Sequence, residues 1–127
     1  MSNVLHTVIW FEFWVTDVDR ARAFYGELFD WTFRPMVEYH PQCWLVDAGE
    51  DRGHHRSAVA DRRPPTDSGA VVYIAVSDLR DAIARAERLG CTLVREPTDV
   101  GDGTRFAWIR DPTGTLLGLW ANEFVEA

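Results

Sequence analysis

One carboxylate interrupts an otherwise apolar run, Val8-Ile9-Trp10-Phe11-Glu12-Phe13-Trp14-Val15-Thr16. Aromatic and β-branched residues at this density predict a β-strand, and a period of two separates its faces. Ile9, Phe11, Phe13 and Val15 form a face without a polar atom, suited to packing under helices. Trp10, Glu12, Trp14 and Thr16 form the other. A carboxylate on a strand buried on both sides needs a reason. One reason is structural: a partner arginine, or a place at an oligomer interface. The other is chemical. Between two indoles, desolvation would favour the protonated form and make Glu12 a hydrogen-bonding or acid/base group facing a ligand.

The chain contains six tryptophans among its 127 residues, so aromatic surface is a second candidate for chemistry. Trp10 and Trp14 share the Glu12 face, and Trp120 shares the side of Gly118 by alternation. Trp44 and Trp108 lie on strands whose register the sequence leaves open. Trp31 follows a helix and reads as core or interface. An aromatic wall suits a flat, conjugated ligand, each stack adding ~0.5–1.5 kcal/mol beyond its buried area. A cationic ligand would gain a cation–π term as well.

The elements that position these residues occur twice. In the first copy, Thr16-Asp17 caps a helix from about Asp19 to Phe29, with Ala21, Phe24, Tyr25 and Leu28 on one face. Strands follow over Trp31–Tyr39 and Gln42–Asp47 around a His40-Pro41 turn, then a Gly-containing turn over Ala48–Gly53, and a strand over His55–Ala60. The second copy starts with a strand over Ala70–Val76 and a Ser77-Asp78 cap. Its helix carries Leu79, Ala82, Ile83, Ala86 and Leu89 on one face and ends at Gly90. A strand over Thr92–Glu96 ends at Pro97, and Asp99–Gly103 is a loop. Strands over Arg105–Arg110 and Leu116–Ala121 are joined by the turn Asp111-Pro112-Thr113-Gly114. An offset of 61 places Val15-Thr16-Asp17 on Val76-Ser77-Asp78, Ala21 on Ala82 and Leu28 on Leu89. The same offset places Glu12 on Tyr73, a hydroxyl donor in the equivalent position.

The expected fold is α+β in one domain, residues 1–127. Two βαβββ modules, about 8–60 and 70–121, are separated by the Pro-rich linker 61–69. Neither module buries both faces of its sheet alone, so pairing them gives eight strands around a concave surface with the helices outside. Hydrophobic residues at 46% support a folded chain, and a net charge of −7 argues against a nucleic-acid partner. Cys43 and Cys91 lack metal or redox spacing and read as thiols in a reducing compartment. No apolar run is long enough to span a bilayer and no leader precedes Val8, so a cytoplasmic protein is expected.

The segments VTDVDRARAFYGELFDW and RFAWIRDPTGTLLGLW, each in its own module, resemble the vicinal oxygen chelate superfamily from Val8 to Trp120. That superfamily includes glyoxalases, extradiol dioxygenases, fosfomycin-modifying enzymes and bleomycin-resistance proteins. The resemblance implies a divalent metal held on the first and last strand of each module. Carried onto this chain, those positions are Trp10, Ser57, Val71 and Gly118, a set with one weak oxygen donor and no metal site. His54 and His55 are adjacent at a turn-to-strand junction, where one of them and Glu12 would make two ligands without a third. His6 and His40 lie outside the strands.

The expected function is therefore a small-molecule-binding protein of the bleomycin-resistance type, without cofactor, that sequesters an aromatic or amphipathic compound. Its expected ligand residues are Trp10, Glu12, Trp14, Trp44, Ser57, Tyr73, Trp108 and Trp120. A metal-independent isomerase, lyase or hydrolase with Glu12 as general acid/base is the alternative. A metalloenzyme with relocated ligands is a third. A symmetric homodimer is expected, as is usual for the fold the chain resembles.

Overall fold

The computed structural model describes residues 5–36, 43–47, 49, 56–61, 69–101 and 103–122. Among them are eight strands and two helices: β1 (Val8–Val15), α1 (Val18–Phe29), β2 (Thr32–Pro35), β3 (Cys43–Asp47), β4 (Arg56–Asp61), β5 (Ala70–Ala75), α2 (Leu79–Arg88), β6 (Thr92–Gly101), β7 (Thr104–Arg110) and β8 (Leu116–Asn122). The fold is α+β, and both expected βαβββ successions are present. The His40-Pro41 turn, most of the turn after Asp47, His54, His55 and residues 62–68 of the expected linker lie outside the described residues.

The chain forms two compact units, Trp10–Val71 and Met1–Ile9 with Val72–Ala127. In the first, the strand order is β2-β3-β4-β1. β1 runs parallel to β4, and the other neighbours are antiparallel. The Asp17 side chain caps α1 by accepting from Arg20 N at 3.0 Å, and Asp30 closes the helix in the left-handed region. Asp and Asn tolerate that conformation better than other non-glycine residues, through local side-chain hydrogen bonding. The helix rests on β1 through rings: Phe13, Tyr25 and Trp31 lie 5.7–6.3 Å apart by centroid, and Phe29 lies 5.0 Å from Trp31.

The helical face differs from the expected one. Ala21 and Tyr25 are turned inward, but Phe24 and Leu28 are 59% and 58% exposed. The stripe on the sheet is Ala21 and Tyr25, continued at the same spacing of four by Phe29, which is itself 44% exposed. Phe24 and Leu28, each one position before a member of that stripe, are rotated about 100° away from it.

The second unit repeats the order as β5-β8-β7-β6, with β5 parallel to β8. Its core is Val76, Leu79, Ile83, Ala107, Ile109 and Leu119, with Ala82, Ala86, Leu93, Leu117 and Ala121 packed against it. This is the α2 face anticipated from the pattern, except that Leu89 is 76% exposed. Leu89 is the C-cap, where the chain leaves the helical path before Gly90 turns it at φ 102°. A second difference concerns Pro97, which does not end β6. The strand continues to Gly101, with register shifts between Arg95 and Thr98 and on either side of that segment. Such irregularities on an outer strand accommodate a residue without an N–H. Among the described residues, no helix is long and apolar enough to cross a membrane.

Candidate functional site

Glu12 is 1% exposed, the one charged residue among the buried residues described. Its two oxygens are held by its strand neighbours. Trp10 Nε1 donates to Oε2 at 2.9 Å, and Trp14 Nε1 donates to Oε1 at 3.2 Å. The period of two makes this possible: residues 10, 12 and 14 project from one face, and the indole N–H acts only as a donor. The clamp orients the carboxylate with a hydrogen bond from each side. Its face continues across the sheet, because Glu12 is level with Ala58 and Trp14 with Ala60 on β4. The small, buried Ala58 and Ala60 leave the Trp-Glu-Trp group as the bulky part of that surface.

Two of the expected ligand residues of this unit lie elsewhere. Ser57 is level with Phe11, and Trp44 is level with Val59, itself the partner of Phe13. Both therefore project from the α1 side, opposite to Glu12. Trp44 instead carries the guanidinium of Arg22, 3.8 Å above its ring, and Arg22 also pairs with Asp19 at 2.7 Å. The Ser57 expectation failed through a one-residue change in the repeat. Glu12 and Tyr73 are 61 apart, but their register partners Ala58 and Gly118 are 60 apart. A slip of one in a strand exchanges its faces, so Ala58 takes the place equivalent to Gly118.

The second unit shows a matching aromatic group on the face away from α2. Tyr73 is 1% exposed, and its hydroxyl oxygen accepts from Trp108 Nε1 at 2.7 Å. The Tyr73 and Phe106 rings meet edge-on at 6.0 Å, and Phe106 lies 6.0 Å from Trp108. Arg95 of β6 sits over both, 4.9 Å from the Phe106 centroid and 5.2 Å from that of Trp108. Trp120, half-buried, is level with Phe106 and Ala75 on the same face. Tyr73, Trp108 and Trp120 are thus brought to one face by their register around Gly118. Phe106 and Arg95 were missed. Phe106 was legible in the alternation Phe106-Trp108-Arg110 once Trp108 is placed opposite Gly118. Arg95 required knowledge of the irregular β6.

Gly118 explains the loss of a donor at one family position. It is level with Tyr73, and a Cβ there would collide with the Tyr73 ring, closer than any real contact allows. The phenol thus occupies the space that a ligating side chain would need. The remaining positions hold Trp10, Val71 and Ala58, none of which offers a metal donor. Among the described residues, no three His, Cys, Asp or Glu side chains gather into a metal-binding group. The described residues at these four positions do not fit the divalent ion that the resemblance implies.

Cys91 and Asp111 lie away from these faces. Burial, then the charge of Glu87, pushes the Cys91 thiol up. Hydrogen bonds from the Thr113 side chain and then the backbone of Thr115 and Thr113 hold the Asp111 carboxyl below the usual carboxylate range.

Two repeated βαβββ units define a protein class, and sequence comparison agrees with it. Residues 4–119 match the Glyoxalase/Bleomycin resistance protein/Dioxygenase superfamily, and the chain belongs to that superfamily. Among individual relatives, the chain is 29% identical over 125 residues to "Putative glyoxylase CFP32" of Mycobacterium bovis and of Mycobacterium tuberculosis. The match covers 93% of this chain and 47% of each relative, so the chain spans about half the length of the curated relatives it matches. A superfamily member from Vibrio splendidus 12B01 has a similar structure, with a TM-score of 0.65 at 13% identity, over 91% of this chain and 97% of that one. Methylmalonyl-CoA epimerase from Mycobacterium tuberculosis gives 0.63 at 16% identity, over 96% and 91%. At these identities the structural likeness concerns the fold.

Proposed function

We propose that this protein binds a small aromatic or amphipathic molecule, of the kind that bleomycin-resistance-type members sequester, without a metal ion. The observation that carries the reading is the Trp10–Glu12–Trp14 clamp. It presents a buried carboxylate with fixed orientation, flanked by indole surface, where the family's enzymes would place metal ligands. Two N–H donors fix the direction of that carboxylate, which suits it to facing a hydrogen-bond donor or a cation. They also leave it less freedom to act as a base. The half-buried Trp10 and Trp120 supply aromatic surface on the faces away from the helices. The acidic chain would favour approach of a cationic compound.

A second reading keeps the same residue and changes its role. Glu12 would be the general acid/base of a metal-independent isomerase, lyase or hydrolase, a reading favoured by its place as the one charged residue among the buried residues described. Incubation with polycyclic and cationic aromatic compounds separates the two, with tryptophan fluorescence reporting binding and mass spectrometry recovering the compound. Sequestration predicts unchanged compound, and binding weakened by about 1–3 kcal/mol in Trp10→Ala through loss of a stack and of packed volume. A product formed by the wild type, and formed ~10²–10⁴-fold more slowly by Glu12→Gln while the compound still binds, would replace the binder reading with the enzyme.

A further inference from the structure

We propose that Arg95 makes the second unit's face away from α2 an anion-recognising surface, which takes the carboxylate of an aromatic acid. The proposal rests on the small-molecule-binding reading and names the ligand chemistry of this unit.

Two irregularities in β6 bring Arg95 to that face. Leu93 is level with Ile109 and packs on the α2 side with it. Strict alternation would return Arg95 to the same side. Instead, two steps along β6, from Leu93 to Arg95, match one step along β7, from Ile109 to Trp108. Arg95 is thereby level with Trp108, where an unshifted strand would put Val94. A second shift follows, in which three steps along β6 match two along β7 and set Thr98 level with Phe106. Without it, Pro97 would stand there. Bulges re-aim side chains in this way beside functional sites.

The guanidinium so delivered is held in place, and its charge is left over. Its central carbon lies 4.9 Å from the Phe106 centroid and 5.2 Å from that of Trp108. Nε donates to Thr98 Oγ1 at 3.2 Å, and that hydroxyl donates to the Glu96 carbonyl at 2.9 Å. Among the described residues Arg95 pairs with no carboxylate, in a chain with 20 acidic residues against 13 basic ones. Asp99, on the same strand, accepts from Gly101 N instead. With Nε taken, the two terminal nitrogens of an exposed side chain remain, and they form a planar fork that matches the two oxygens of a carboxylate. Covering the rings calls only for a long side chain. It does not call for two shifts of register that set a cation and its hydroxyl tether on one face.

Trp120 supplies the aromatic part of the surface. It is half-buried, level with Phe106, and on the strand next but one to β6, about 10 Å away in backbone spacing. That separation fits an acid whose rings stack on the indole while its carboxylate meets Arg95. The net charge of −7 opposes the approach of an anion, so a preference for an acid over its neutral amide has to come from the local cation.

The test titrates the protein with benzoate, naphthoate and anthracene carboxylate, with the primary amide of each, and with naphthylmethylamine. Calorimetry gives the dissociation constants, and proton–nitrogen NMR follows the Arg95 Nε–H and the Trp120 indole N–H. At least one acid is expected to bind about ten- to a hundredfold more tightly than its amide, the range for hydrogen bonds to a charged group, and to shift both signals. Arg95→Met keeps a long unbranched chain over the rings and should abolish the preference. Arg95→Lys keeps the charge without the fork and should fall between the two. Thermal melting checks that each variant is folded, and if Arg95→Met is not, the acid–amide ratio and the Nε–H shift of the wild type decide. Acids and amides that bind alike, an acid that binds without moving the Arg95 signal, or a preference that survives in Arg95→Met would each overturn the proposal. If amides or the amine bind and no acid is favoured, the role of Arg95 alone fails. If no compound of any charge binds, the small-molecule reading fails, and this proposal with it.

Discussion

Glu12 and Tyr73 occupy equivalent places in the two repeats, and each has been fitted into its sheet by an indole N–H. Glu12 takes two such bonds from its own strand, and Tyr73 takes one from Trp108, 35 residues later in the chain. The difference follows from chemistry. A carboxylate oxygen has acceptor capacity for close neighbours on both sides, whereas a long phenol reaches across the sheet and must clear the strand it crosses. Gly118 provides that clearance. Gly118→Ala is accordingly expected to destabilise the protein by about 1–3 kcal/mol, the range for inserting atoms into a packed interior. In a Tyr73→Ala background the same substitution should cost far less, because the colliding ring is gone. Urea denaturation of the four proteins in that cycle measures the coupling, and equal costs in the two backgrounds would show that Tyr73 does not exclude the side chain.

The two helices illustrate how much an element owes to its ends. Asp17 and Asp78 cap them alike, each accepting the backbone N–H three residues on at 3.0 Å, a contact that contributes about 0.5–2 kcal/mol. Beyond the caps they diverge, since α2 buries Leu79 and Ile83 while α1 buries only Val18 and leans on rings. The β7–β8 turn is organised by another aspartate. Asp111 Oδ1 accepts from Thr113 N at 2.8 Å, Thr113 Oγ1 at 2.7 Å and Thr115 N at 3.1 Å. Those bonds favour the carboxylate, so its acidity is greater in the folded chain than in the unfolded one. Such a group stabilises the fold at pH above the ordinary carboxylate range, and the contribution disappears as pH falls through the lowered folded-state value. The melting temperature of the wild type should therefore exceed that of Asp111→Ala at neutral pH, with the gap narrowing in acid. A gap that does not change with pH would mean that the charge is not what holds the turn.

At the scale of the whole molecule, membership of the superfamily settles the architecture and leaves the chemistry to individual positions. Trp10, Ala58, Val71 and Gly118 give a divalent ion nothing to bind. Protein purified without chelator is expected to carry no stoichiometric zinc, iron, manganese or nickel, as measured by elemental analysis. About one ion per chain would require donors other than those at the family's positions, and would promote the metalloenzyme reading.

Local chemistry determined much of this protein before any tertiary contact was known. The caps at Asp17 and Asp78, the turn at Asp111-Pro112-Thr113-Gly114, the two faces of β1 and the repeat of 61 all depend on residues near one another in the chain or on their simple recurrence. Backbone geometry converts such spacing directly into direction. Tertiary structure alone decided what depends on register between distant strands. Ser57 turned to the α1 side because the second copy is one residue shorter than the first between its first and last strands, and Trp44 because β3 sets it level with Val59. Phe24 and Leu28 stayed open because the rings of Tyr25, Phe29 and Trp31 fixed the rotation of α1. Alternation states that two neighbouring residues face opposite ways, but which way is chosen by the partner strand, through hydrogen bonds that the sequence does not number.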